Sequence, residues 1–234
     1  KWDPIQAIAG IPLKVKGEAV GVIGLVHTEP GRKFRPSDLD ILHKLADLAV
    51  LSLNNAILFE QIKNLKSALV ATLEETIQAV AYTVEIRDPY TAGHQRRVAC
   101  LACAIAKKMN LPQEQIKGIE MAATIHDIGK LYVPSELLSK PSRLMDIEVS
   151  VIRHHAQAGY DILKGIKFPW PIATVVYQHH EKMNGTGYPR GLSGDEIILE
   201  SRIVAVADVV EAISSHRPYR PSLGFDAAIE EISA

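Results

Sequence analysis

The sequence predicts a mainly α-helical protein: an all-α bundle preceded by a β-hairpin and one long helix. Three observations carry this. Residues 7–27 hold two β-rich runs around Lys16-Gly17. Apolar residues then recur at three- and four-residue steps from Leu39 to Val84, with neither glycine nor proline to break them. From Asp88 onward one helical pattern follows another through short loops, with no strand alternation. Composition agrees, since the 234 residues are 47% hydrophobic and 23% charged, which supports a core and excludes disordered and fibrous classes. Lys and Arg number 26 against 27 Asp and Glu, so no bulk basic field exists for a DNA or RNA polymer, and a nucleotide must be captured locally. No uninterrupted apolar stretch reaches the roughly 18 residues of a membrane span. Lys1-Trp2-Asp3-Pro4 also lacks the layout of a secretory signal, so the expectation is a cytoplasmic chain with no membrane attachment from this segment.

Glu29-Pro30-Gly31 closes the hairpin, and Ser37 is the expected N-cap of the long helix, with Asp38 and Asp40 in its first turn. Leu39, Leu42, Leu45, Ala46, Ala49, Leu53 and Ile57 begin the apolar stripe; Ile62, Leu65, Leu69, Leu73, Ile77, Val80 and Val84 continue it. The second set advances close to 3.67 residues per turn, nearer an eleven-residue than a seven-residue repeat. Such a stripe either pairs with its copy in a second chain or packs on the domain that follows. Its length exceeds what one small domain buries, so a homodimer through this helix is expected. A hairpin plus one helix cannot close a core. Residues 1–58 resemble the last two strands and final helix of a GAF sensory domain, an incomplete α+β unit, with 59–87 as a connecting helix. Farther on, Cys100 and Cys103 form C-x-x-C on a helical pattern; with no second pair a four-thiolate zinc site is impossible, and both thiols are expected to face the core.

Six of the nine histidines fall into four clusters: His94, His126-Asp127, His154-His155 and His179-His180. Neutral imidazoles beside carboxylates on separate helices suit first-row divalent metals, and the absence of nearby thiolates argues against a purely structural zinc. The centre of the pattern is Thr124-Ile125-His126-Asp127-Ile128-Gly129-Lys130, read as the end of a helix with Pro112 at N1 and Gly129 as its stop. Lys130 then stands where its ammonium can reach a metal-held phosphate. Asp208 is a carboxylate inside the apolar run Ile203-Val204-Ala205-Val206-Ala207, where an unpartnered charge is costly and a metal ligand is favoured. Glu181, following His179-His180, is expected to orient an imidazole.

These motifs, with Asp88-Pro89-Tyr90-Thr91-Ala92-Gly93-His94-x-x-Arg97, Asn184-Gly185-x-Gly187-Tyr188-Pro189 and Arg217-Pro218-Tyr219-Arg220, resemble the HD-GYP domains of the HD phosphohydrolase superfamily over residues 88–231. The resemblance implies a catalytic domain at 88–234 that hydrolyses cyclic di-GMP to linear pGpG, GMP or both, with a related cyclic dinucleotide admissible. It implies that His94, His126, Asp127 and Asp208 hold one metal and that Asp127 bridges to a second completed by His155, His179 and His180. Asp127 and Lys130 are then catalytic, and Lys130, Gly187, Tyr188, Pro189, Arg217 and Arg220 contact substrate. His154 is expected to face away. Iron or manganese leads as the metal, with zinc, nickel or magnesium admissible. Two departures stand out. Family members with a third metal carry a carboxylate four residues before the first histidine, where this chain has Tyr90, so two ions are expected. Asn184 stands where Asp is common, a position that supports a turn.

Overall fold

The hairpin pairs β1 (Ala7–Val15) antiparallel to β2 (Glu18–His27), in register from Ala7 opposite His27 to Val15 opposite Glu18, with one irregularity at Leu13/Lys14. The computed structural model describes residues 4–15, 17–87, 93–215 and 222–233. The next element, α1 (Pro36–Arg87), is one unbroken helix of 52 residues. It starts two residues earlier than expected. Pro36 takes the first helical position, where its missing N–H costs nothing, and the Asp38 carboxylate accepts the Arg35 N–H at 2.8 Å, so Arg35 and not Ser37 is the capping residue. The chain divides into two compact units, Lys1–Ala71 and Thr72–Ala234, and α1 contributes to each. In the first unit Leu42 and Ala46 are buried, whereas Ile62, Leu65 and Leu69 are 66%, 72% and 69% exposed. α1 is also long and apolar enough to cross a membrane by length and composition, with a window of mean hydropathy 1.3. A search for uninterrupted apolar runs misses it, because Asp47, Asn54, Asn55 and Glu60 punctuate the sequence.

The regular elements of the second unit's described residues are all helical: α2 (His94–Lys108), α3 (Gln113–Ile125), a 3-10 turn (Ile128–Tyr132), α4 (Ser135–Leu138), α5 (Asp146–Arg153), α6 (His155–Leu163), α7 (Ile172–Gln178), a second 3-10 turn (Gly194–Glu196), α8 (Leu199–Ser214) and α9 (Gly224–Ser233), with one isolated bridge between Asn184 and Ser193 in the loop after α7. Its core begins at the C-terminal third of α1, where Leu73, Ile77, Val80 and Val84 pack against it. α2 lies against α3 and α8, and small residues on the inner faces (Ala102, Ala106, Ala122, Ala123, Ala207) let these helices approach closely. Fully buried Val98, Ile119, Val176 and Val204 fill the remaining space, each stabilising the fold by about 1.5–3 kcal/mol. Cys103 joins this core but Cys100 is exposed, so the two thiols do not share the face expected of them. They are three positions apart at the edge of a stripe only as wide as the α3 and α8 contact.

α3 ends sooner than the glycine signal implies. Pro112 is its N-cap, and its last residue is Ile125 with His126 as C-cap. Gly129 lies inside the 3-10 turn, and a Cβ there would sit 1.8 Å from the carbonyl oxygen of His155. The residue is glycine because α6 crosses the turn in direct backbone contact, and not because it stops a helix. Arg87 at the end of α1 donates to the Leu131 carbonyl at 2.7 Å, tying the same turn from its other side.

Candidate metal centre

Three of the histidines reach back to the last carbonyls of a helix, which lack intrahelical partners: His126 and His179 are C-caps, and His155 opens α6 just after α5. At the end of α3, His126 Nδ1 lies 2.6 Å from the Ala123 carbonyl; at the end of α5, His155 Nδ1 lies 2.7 Å from Ile152; at the end of α7, His179 Nδ1 lies 2.7 Å from Val176. A carbonyl only accepts, so Nδ1 carries the proton in each ring and Nε2 is left as a bare lone pair. One local device thus satisfies three orphan carbonyls and aims three ligand atoms inward. His94 opens α2, and both its nitrogens face carboxylates: Nδ1 the Glu211 carboxylate, and Nε2 the Asp208 Oδ1 at 3.1 Å.

The rings converge. Ligand atoms within 4.8 Å of one another form three groups: His94, His126 and Asp208; His126, Asp127 and His179; His155, His179 and His180. All seven residues expected to hold metal belong to them, and the middle group joins the outer two. His126 Nε2 is buried with no hydrogen-bond partner, and leaving such an atom unpaired costs about 1–3 kcal/mol. The bare Nε2 atoms of His155 and His179 face each other at 3.2 Å. Two opposed lone pairs repel unless a cation stands between them, so the donor set fits divalent metal.

Electrostatics put three of the imidazoles and both carboxylates in their ligand forms. Burial pushes the His179 imidazole well below its usual range, His155 down, and His180 down to about 3, so all three stay neutral. Burial opposes charge on Asp127, but Lys130 and the surrounding imidazoles outweigh it and hold its carboxyl well below the usual range. Asp208 is likewise held down, with His94 and its neighbours overcoming desolvation. His94 runs the other way: burial favours its neutral form, yet hydrogen bonds to Asp208 and Glu211 raise it to about 9. Neutral imidazole and ionised carboxylate are the states that bind a metal. Lys130 donates to Asp127 Oδ2 at 2.7 Å, since residues three apart nearly eclipse in a 3-10 turn.

Glu181 does not orient an imidazole. Its two carboxylate oxygens accept the backbone N–H groups of Arg190 and Leu192 at 2.7 and 2.9 Å, so it holds the loop that follows. The residue that does orient an imidazole is Glu211, which sequence reasoning missed. It accepts from His94, from Arg97 Nε at 2.7 Å and from Ser215 Oγ at 2.6 Å. The signal was present: Glu211 stands one turn after Asp208 on the same apolar helix. Burial resists its charge, but these donors lower its carboxyl to about 2.

In the loop, a Cβ on Gly187 would lie 2.4 Å from the Lys182 nitrogen and 2.6 Å from the His180 carbonyl oxygen, so only glycine fits. Asn184 Oδ1 accepts from the Thr186 N–H and hydroxyl at 3.0 and 2.6 Å, a turn that an aspartate oxygen would make equally well. The Tyr188 ring stacks on His180, centroids 4.7 Å apart and planes at 28°, while Pro189 is exposed. His154 is exposed and outside the cluster, as expected. Tyr90, Arg217 and Arg220 lie outside the described residues.

Residues 78–234 match the HD domain family, and residues 3–53 match the GAF domain. The chain belongs to the HD domain family. This HD domain chain is 40% identical over 162 residues to the cyclic di-GMP phosphodiesterase response regulator RpfG of Xanthomonas campestris, covering 68% of this chain and 43% of that protein. It is 40% identical over 159 residues to 3'3'-cGAMP-specific phosphodiesterase 3 of Vibrio cholerae, covering 68% and 35%. A cyclic di-GMP phosphodiesterase of Thermotoga maritima is 36% identical over 164 residues, covering 69% and 45%. The chain therefore spans less than half the length of these relatives. Among solved structures, an HDG"Y"P protein of Bdellovibrio bacteriovorus shares the fold at 15% identity, with a TM-score of 0.52 over 95% of this chain and 87% of that one.

Proposed function

We propose that this HD domain chain is a metal-dependent phosphodiesterase that hydrolyses cyclic di-GMP to pGpG, GMP or both, in bacterial second-messenger signalling. The observation that carries the reading is the convergence of bare Nε2 atoms and two ionised carboxylates in one buried cluster, with the Lys130 ammonium at its edge. Bound divalent metals would polarise a phosphoryl oxygen and make water nucleophilic near neutral pH. The protein's part is position. His94, His126 and Asp208 would hold one ion, His155, His179 and His180 a second, and Asp127 would bridge them. The two outer groups support a reading of two ions, as does Tyr90 in the sequence where a third-metal carboxylate would stand. Iron or manganese leads, with zinc, nickel or magnesium admissible. Lys130, paired with Asp127, would donate to a non-bridging phosphate oxygen as charge grows there. Gly187, Tyr188, Pro189, Arg217 and Arg220 complete the proposed substrate contacts.

A second substrate is favoured by a specific observation: relatives named for cyclic di-GMP and for 3'3'-cGAMP are equally similar to this chain at 40% identity. Elemental analysis of the purified protein, followed by turnover of both dinucleotides with added Mn or Fe, decides between them. Metal-loaded protein that cleaves neither would overturn the reading and leave a cyclic-dinucleotide sensor.

We further read residues 1–58 as a GAF-like fragment, 59–87 as a connecting helix and 88–234 as the catalytic domain, in a cytoplasmic homodimer joined through α1. The exposed Ile62, Leu65 and Leu69 support a protein partner. Asp47, Asn54, Asn55 and Glu60 weigh against lipid, where each polar group would lack water.

A further inference from the structure

A cyclic dinucleotide carries two anionic phosphodiesters. Among the described residues, the metal cluster and Lys130 account for one. We propose that Arg153 anchors the other, an inference that rests on the phosphodiesterase reading above.

Arg153 is the last residue of α5, two positions before the ligand His155, and its side chain is exposed. Its guanidinium carbon lies 5.1 Å from the centre of the Tyr188 ring, and that ring in turn stacks on His180 at 4.7 Å. The cation therefore stands two ring steps from a proposed metal ligand. Two properties suit it to an anion. First, a guanidinium laid over an aromatic face keeps its N–H donors at its edge, aimed away from the ring, in the fork that matches phosphate oxygens. The ring also holds the side chain in place, so less rotamer entropy is lost when an anion arrives. Second, among the described residues no carboxylate pairs with Arg153, whereas Arg97 is engaged by Glu211 and Arg202 by Asp195. A cation near the cluster without an acidic partner is open to a substrate's charge.

The plain alternative is that Arg153 complements the C-terminal dipole of α5 and pads Tyr188. The two differ in what they require of the substrate. An anchor for a second phosphate matters only when a second phosphate exists; a structural role affects every substrate alike.

The test compares cyclic di-GMP with bis(p-nitrophenyl) phosphate, a diester with one phosphate, on metal-loaded wild type, Arg153→Ala and Arg153→Lys. Arg153→Ala should raise KM for cyclic di-GMP about ten- to hundredfold, as expected for losing a charge-assisted hydrogen bond. Its kcat and metal content should hold, and kcat/KM for the single-phosphate diester should stay as in wild type. Arg153→Lys keeps charge without the fork and should fall between. The salt dependence of KM for cyclic di-GMP should flatten in Arg153→Ala. Equal losses on both substrates, or lost metal, would assign Arg153 to the support of Tyr188 and His180 and overturn the proposal. An unchanged KM for cyclic di-GMP would overturn it too, while leaving the phosphodiesterase reading intact. Wild type that cleaves the single-phosphate diester but no cyclic dinucleotide would overturn the substrate reading, and the anchor with it.

Discussion

Asp127 is the residue on which both proposed metal positions depend, because it belongs to the group that joins the outer two. Asp127→Ala should lower bound metal and reduce turnover by at least about a hundredfold, read by elemental analysis beside kinetics. Full metal content with normal turnover would remove Asp127 from the centre. Lys130→Ala separates charge neutralisation from metal binding: the ions should stay while kcat falls about ten- to hundredfold. Glu211→Gln should weaken metal binding about ten- to hundredfold through the freed His94 ring, with Asp208 in place; a titration of chelated protein with Mn measures it. Glu211 also shows where residue-level reading runs out. A charge inside an apolar helix marked Asp208, and the same argument applied three residues later would have marked Glu211. Glu181 was misassigned for the opposite reason: adjacency to His180 in sequence says nothing of direction, and its carboxylate turns to the backbone of Arg190 and Leu192.

Among the elements, α1 was legible almost to its ends, because an unbroken apolar period over so many residues has one regular solution. What periodicity could not show is that the stripe changes partner along its length. From Leu73 it packs on the core of the second unit, while Ile62, Leu65 and Leu69 face outward. A substitution at Leu73 would therefore confuse loss of folding with loss of association. Ile62→Lys, Leu65→Lys and Leu69→Lys together avoid this. They should shift the proposed dimer to monomer in sedimentation, since charge buried at such a contact lacks a partner. A monomeric wild type, or an equally dimeric variant, would end the dimer proposal. The short elements were harder to read. Gly129 looked like a helix stop, yet its constraint comes from His155, distant in sequence, whose backbone oxygen occupies the space of a side chain. Gly129→Ala should cost more than the 1–3 kcal/mol typical of overpacking, because the obstacle is backbone, and urea unfolding would register it.

For the whole molecule, the cluster sets how stability varies with pH once metal is removed. In the chelated protein His155, His179 and His180 stay neutral because burial disfavours their charged forms. Unfolded, they titrate near 6.5. Below that pH the unfolded chain binds protons that the fold refuses, so their contribution is present above about 6.5 and is lost as pH falls toward the folded values. His94 has the opposite sign: raised to about 9, it favours the fold below about 6.5 and that support fades as pH rises through 9. Asp127 and Asp208, held low in the fold, add a further loss only at more acid pH, where the unfolded carboxyls protonate near 3.9. Below about 6.5 the His94 support is constant and the three buried imidazoles set the slope, so Tm of the chelated protein should drop steeply between pH 7 and pH 5 and fall more gently toward pH 9. Bound metal stabilises whichever state binds it, and about a hundredfold excess over Kd is worth about 2.7 kcal/mol. Adding Mn to the chelated protein at pH 7 should therefore raise Tm by several degrees, and EDTA should reverse the gain. Thermal scans across pH 5–9, with and without Mn, decide it: curves that coincide would mean that the converging imidazoles are held together by the fold alone.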